Sequence, residues 1–142
     1  MNKRHYIFGV VAVWAFICLA EILFHTIILQ GIYRVILGVI RPEQYFGPYY
    51  PLLIIGHLLL SLLFCYIFIK GYENRGLWEG VRFGLIVGLA LGVAPSLVQF
   101  TTNQFPGKFV IAWVVWYPLE MTVAGIIIAA IYRPPAQKKT RE

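Results

Sequence analysis

Aspartate is missing from this sequence altogether, and only six of its 142 residues are acidic, all of them glutamates. Charged residues of both signs make up 13% of the chain against 60% hydrophobic ones, too little polar material to cover a globular surface in water. A water-soluble domain is thereby excluded. Two cysteines, Cys18 and Cys65, are too few for a disulfide framework, and both fall inside apolar runs where a thiol acts as a small apolar filler. No glycine-rich phosphate cradle occurs, and no Ser or Cys sits in a motif that would activate it as a nucleophile. A hydrolytic or group-transfer enzyme lacks its parts here, so the reading leans away from catalysis.

What the chain does have is four long apolar runs, Tyr6–Ile28, Pro51–Ile69, Val81–Phe100 and Phe109–Tyr132. Each approaches or exceeds the roughly 20 residues a helix needs to cross about 30 Å of hydrocarbon, and none shows the strict alternation of a barrel strand. The expected fold is an all-α membrane protein: a single domain over residues 1–142 with four transmembrane helices. The first run follows Lys3 and Arg4 but is much longer than the ~7–15 apolar residues of a signal peptide, and no small-residue cleavage site follows it. It is read as a span that stays in the protein.

Basic residues set the expected orientation. Lys3 and Arg4, then Lys70, Arg75 and Arg82, then Arg133, Lys138, Lys139 and Arg141 flank one side, while Arg34, Arg41 and Lys108 flank the other. The positive-inside rule places both termini and the middle loop in the cytoplasm. The net charge of +6 suits anionic lipid headgroups, and its scatter over separate short segments argues against nucleic acid as a partner. Glu73 and Glu79 beside the middle loop are expected to be solvated and to pair with Arg75 and Arg82.

Between the first two runs, Ile32–Ile40 is too apolar for a free loop and too short to span. It reads as an interfacial or re-entrant segment with Arg34 and Arg41 reaching headgroups. Pro42, Gly47, Pro48 and Pro51 break helix beyond it, and Tyr45, Phe46, Tyr49 and Tyr50 form an aromatic belt. In the third run Gly80, Gly84, Gly88, Gly92 and Ser96 recur every fourth position. Residues four apart stack on one helix face, so this ladder is a groove for close backbone contact, against a neighbouring span or a second subunit. A homo-oligomer or a place in a larger membrane complex is one expected use of it. Pro95 and Pro118 interrupt the last two runs and free the carbonyls of Leu91 and Val114, which need other partners or a wet cavity.

Ionisable groups inside the runs are the candidate site. Each costs roughly 2.5–3.5 kcal/mol on insertion scales when charged, so such residues face a bundle interior and mark function by default. Counting about 1.5 Å per residue from the outer ends, His25 lies roughly 5 Å deep, His57 roughly 9 Å, Glu21 roughly 11 Å and Glu120 roughly 16 Å. Cys18, Glu21 and His25 share a face of the first run, as His57 and Ser61 do of the second. Gln99 lies near the outer edge of the third, and Trp116 and Tyr117 share the broad face of Glu120. Converging, these faces would make an outward-facing cup with Glu21, His25, His57 and Glu120 as binding groups and Cys18, Ser61, Gln99, Trp116 and Tyr117 around them. Three uses fit that chemistry: holding a divalent transition metal, exchanging protons or cations as a small proton-coupled transporter would, or hydrogen-bonding helices together in an accessory subunit.

The stretch Lys70-Gly-Tyr-Glu-Asn-Arg-Gly-Leu-Trp-Glu-Gly-Val-Arg-Phe-Gly-Leu-Ile-Val-Gly, with Trp113, Glu120 and Ile131-Tyr132-Arg133-Pro134, resembles a pattern of small four-span bacterial membrane proteins of unassigned function. The resemblance spans about the last two-thirds of the chain. It implies a bacterial cytoplasmic (inner) membrane location and no particular activity. Small multidrug-resistance transporters are similar in having four spans and a glutamate in the first, like Ala20-Glu21. This chain departs from them in His25, His57, Glu120 and the long first outer connection. Carboxylate-bridged di-iron bundles use paired Glu-x-x-His motifs, whereas the single pair here, Glu21-x-x-x-His25, has another spacing.

The orientation predicts that a fluorescent reporter fused after Glu142 lights up in the cytoplasm while alkaline phosphatase fused there stays inactive. Phosphatase activity at that end would invert the topology.

Overall fold

The computed structural model describes residues 2–33, 41 and 45–132, and among these it is helical with no strand. Helix α1 (Lys3–Leu23) runs directly into a π turn, Phe24–Ile28, followed by the short α2 (Gln30–Tyr33). A 3-10 turn, Gly47–Tyr49, leads into α3 (Tyr50–Lys70). Helix α4 (Leu77–Gly88), a second π turn (Leu89–Val93) and α5 (Ala94–Thr102) are continuous, and α6 (Gly107–Ile131) closes the chain. Four helices are thus long and apolar enough to cross a membrane: Lys3–Ile28, Gly47–Lys70, Leu77–Thr102 and Gly107–Ile131. They contain the four apolar runs apart from Tyr132, which is the buried C-cap of α6. Most of the Arg34–Gln44 connection, read from sequence as interfacial, lies outside the described residues. Of the expected aromatic belt, Tyr45, Phe46, Tyr49 and Tyr50 are all exposed, and the Arg41 guanidinium lies 3.3 Å over the Tyr49 ring.

Local chemistry sets where the helices begin. The Asn2 side chain accepts from the His5 backbone N–H at the start of α1, as a capping residue does. Pro51 sits in the first turn of α3, where its missing N–H costs nothing. Proline also accounts for one distortion. Ahead of Pro95 the helix widens into the Leu89–Val93 π turn, in which the Ala94 N–H reaches back to the Leu89 carbonyl. One turn on, the Ser96 hydroxyl donates to the Gly92 carbonyl at 2.7 Å, so a side chain supplements the disturbed ladder.

Helix α1 packs between α3 and α6, and α6 packs between α1 and α4. Toward the end carrying Lys3 and Tyr132 the bundle closes. Phe64 and Phe68 of α3 meet Phe83 of α4 with ring centroids 4.8 and 5.4 Å apart, around a core of Val13, Ile17, Met121 and Ile128. Toward the far end α3 leaves the others, and Pro51 to Gly56 are exposed on every face. A smaller cluster of Phe24, Leu29 and Phe109 holds α1 to α6 there.

The glycine ladder has its partner inside the chain. A methyl group at Gly80 would collide with the Gly125 carbonyl, one at Gly84 with the Met121 carbonyl, and one at Gly92 with the Tyr117 side chain. One at Gly88 would lie 2.6 Å from the Pro118 Cα. The α4 and α6 backbones therefore touch, as small residues allow between helices that lipid does not drive together. Any assembly with a second chain would have to use another face.

Glu79 corrects an expectation. It is buried (5% exposed), not solvated: its two carboxylate oxygens accept the backbone N–H groups of Glu73 (2.6 Å) and Arg75 (3.0 Å). It thereby ties the α3–α4 loop, where Asn74 (φ 63°) and Gly76 (φ 71°) occupy the left-handed region, to the first turn of α4. Burial follows because an acceptor-only group satisfies two donors that the tight loop leaves without helix partners. Glu73 behaves as expected and pairs with Arg75 at 2.9 Å and Arg82 at 3.1 Å.

Gly84→Ala is expected to destabilise the protein by about 1–3 kcal/mol through backbone overpacking, while Gly56→Ala, whose methyl meets open space, leaves it unchanged. Thermal unfolding in detergent followed by size-exclusion chromatography reads both. Glu79→Ala is expected to cost about 1–3 kcal/mol by leaving two loop N–H groups without their acceptor.

Candidate functional site

The polar residues of the long helices gather where the bundle opens, and they form two groupings. The larger starts on α2. The Tyr33 hydroxyl hydrogen-bonds the Nδ1 atom of His25, and the two rings lie within 4° of coplanar. The other nitrogen, Nε2, is 2.9 Å from Oε2 of Glu21. With the hydroxyl donating to Nδ1, the Nε2–H donates to the carboxylate, which fixes the tautomer. Glu21 in turn faces Glu120 across the α1–α6 contact, close enough for the two carboxyl groups to influence each other. Two carboxyl groups so placed are able to share one proton between two helices. Each also keeps a buried Oε1 with no hydrogen-bond partner among the described residues.

Local structure explains the placement. Glu21 and His25 are four residues apart and stack as helix neighbours. The π turn Phe24–Ile28 begins between them, with the Leu29 N–H bonded to the Phe24 carbonyl at 3.0 Å. The extra residue per turn advances the chain, so that Tyr33, eight residues on from His25, returns to its ring. Within that turn the Thr26 hydroxyl donates to the Ile22 carbonyl at 2.6 Å. On the opposite wall Trp116 of α6 stacks on Phe24 at 4.5 Å and 8°. Glu120, one turn further along α6, is 3% exposed, whereas the His25 side chain is 38% exposed and so is the accessible member of the chain of bonds.

The second grouping pairs α1 with α3. Cys18 Sγ lies 3.9 Å from Nδ1 of His57, and Ser61, fully buried one turn below, donates its hydroxyl to the His57 carbonyl at 2.8 Å. His57 lies within Coulomb range of Glu21 and His25. The expected cup is therefore split: Glu21, His25 and Glu120 join, while His57 stands to one side with Cys18. Trp116 lines the groove beside Glu120, and Tyr117 packs its side chain against Gly92 of the ladder. Gln99 is exposed, its carbonyl accepting from Asn103 at 3.1 Å, with no hydrogen bond to either grouping among the described residues. Alongside Glu120 a shallow apolar groove of about 280 Å³ runs between α1 and α6, walled by Leu19, Leu23, Leu119 and Val123.

Tyr33 was not among the residues the sequence singled out. Its signal is a lone phenol beyond the helix end, and its relation to His25 depends on a π turn that heptad or 3.6-residue counting does not represent. Among the described residues no group of three or more His, Cys, Asp or Glu side chains is placed to hold a metal ion together. The helices and the site fit a multi-pass membrane protein with a buried carboxyl pair reached through an imidazole. No protein-family model, curated protein or solved structure matches the chain.

Burial, then the nearby Glu21 charge, pushes the Tyr33 phenol up to about 12 from its ordinary 10.0. The unfolded chain gives up this proton near pH 10 and the folded one keeps it, so stability should fall as pH rises from 10 toward 12. A difference titration of tyrosinate absorbance, wild type minus Tyr33→Phe, should show a midpoint near 12, moving down in Glu21→Gln. A midpoint near 10 would contradict the arrangement.

Proposed function

We propose that this is a bacterial inner-membrane protein, both termini cytoplasmic, that exchanges protons or cations at an outward-facing intramembrane Glu/His site. The supporting observation is the chain of hydrogen bonds from Tyr33 through His25 to Glu21, with the Glu120 carboxyl facing Glu21 from α6. A proton entering at Nδ1 of His25 releases the Nε2 proton to Glu21, and the carboxyl pair stores it. Tyr33 orients the ring and can give its own proton to Nδ1 while taking another from water. His57 adds a second imidazole that feels the charge on Glu21.

Beyond Glu120 the bundle is filled by Val13, Ile17, Met121 and Ile128. These four side chains are apolar, so a stored proton passes through them only if the helices rearrange. This favours a slow, carrier-like exchange over a continuous proton channel. A metal centre on Glu21, His25, His57 and Glu120 lacks that support, since the four do not meet as one ligand set.

Full-length protein in liposomes loaded with a pH-sensitive dye tests the reading. An acid jump outside should give protein-dependent internal acidification in the presence of a counter-cation, lost in Glu120→Gln and Glu21→Gln and impaired in His25→Asn. Wild-type vesicles that acidify no faster than protein-free ones, or an unaffected Glu120→Gln, would defeat it.

A further inference from the structure

The pair that the proton relay leaves aside has a geometry of its own. Cys18 Sγ and His57 Nδ1, on different helices, stand 3.9 Å apart. That is long for a hydrogen bond and close to the bite of two ligands on one metal ion. With metal–sulfur and metal–nitrogen bonds of about 2.3 and 2.0 Å, this separation subtends an angle near ~130° at the ion. We propose that Cys18 and His57 form a binding site for a soft monovalent cation, Cu(I) in the first place.

The donor set and its surroundings select the ion. A thiolate with an imidazole is the ligand type that soft copper takes, and hard cations prefer oxygen. Charge matters more here than in water. One thiolate and one monovalent ion sum to zero, so the complex adds no net charge to an apolar bundle, whereas a divalent ion would leave one uncompensated. Binding proceeds as thiol plus Cu(I) giving the copper thiolate and one proton. No oxidation state changes, and the proton leaves to a neighbouring base or to water. Glu21, one turn from Cys18 and within Coulomb range of His57, has a buried Oε1 without a partner and is the near acceptor. Ser61 holds its position through the His57 carbonyl and leaves the imidazole ring free of that bond. His57 itself is half-buried, and α3 is exposed on the side of it toward the helix start, from Pro51 to Gly56.

Cys65 is the internal control: it is also a thiol within a long helix, but it is fully buried in the closed core among Phe64, Phe68 and Met121. The proposal does not require the proton-exchange reading, since Glu120 is no ligand in it.

The test is an anaerobic competition titration of purified full-length protein with Cu(I) against a chromophoric chelator, repeated with redox-inert Ag(I). Wild type should take up one ion per chain with release of one proton. Affinity should fall at least about tenfold in Cys18→Ser and in His57→Ala, and stay unchanged in Cys65→Ser and Glu120→Gln. Copper-edge absorption of the loaded protein should show one sulfur and at least one imidazole nitrogen. Size-exclusion profiles matching wild type confirm that the variants are folded, and Cys18→Ala serves should Cys18→Ser misfold. Absence of stoichiometric uptake by wild type, uptake indifferent to Cys18→Ser, or uptake lost in Cys65→Ser would overturn the site. If Glu120→Gln abolishes proton exchange yet keeps Cu(I), the two sites are separate; if it abolishes both, the copper proposal fails and the exchange reading stands.

Discussion

Backbone-to-backbone contact between α4 and α6 is the constraint on which the rest of this bundle depends. In lipid there is no hydrophobic gain from bringing two apolar helices together, so close dispersion contact has to supply the attraction. Gly80, Gly84, Gly88 and Gly92 supply it by presenting no side chain of their own toward α6, and Gly125 does the same from the α6 side. This contact fixes the rotation of α6. With Pro118, Met121 and Gly125 committed to α4, Trp116 and Glu120 turn toward α1. The carboxyl pair is therefore a consequence of a glycine seam on a helix that carries none of the relay residues.

Two π turns lie in the helices that shape the site, and each has a physical occasion. One precedes Pro95, whose ring and missing N–H rule out an undisturbed ladder. The other falls in Phe24–Ile28, where Thr26 bonds its own backbone one turn back and Ile27 and Ile28 are β-branched. A bend at Leu29 follows the π turn, and beyond it α2 carries Tyr33 to the His25 ring. The bundle is closed at one end by Phe64, Phe68 and Phe83 and loose at the other, where α3 departs. The groupings around His25 and His57 lie toward the loose end, and the closed end is filled by aromatic and aliphatic side chains.

Much of this was legible in the residues. Four runs of spanning length became four helices, and small residues every fourth position became a packing seam, since both are one-dimensional patterns that a helix maps directly onto a face. Glu21 and His25 were recognisable as a pair for the same reason. Glu79 was not legible: a glutamate near a basic loop reads as solvated, and only the left-handed turn through Asn74 and Gly76 brings two N–H groups within its reach. Gln99 shows the opposite error, a polar residue at plausible depth that faces outward.

Composition and periodicity by themselves determined that the chain is helical, apolar enough to cross a membrane four times, and polar at a handful of named positions. Those properties follow from solvation and from the 3.6-residue repeat, both local to the sequence. Which polar residues meet was decided only in three dimensions. Glu21 bonds His25 and faces Glu120 while His57 lies beside Cys18, because the way the helices are turned against one another chooses the partners. Rotation of one helix against another is a property of the contact between them, and no single segment encodes it.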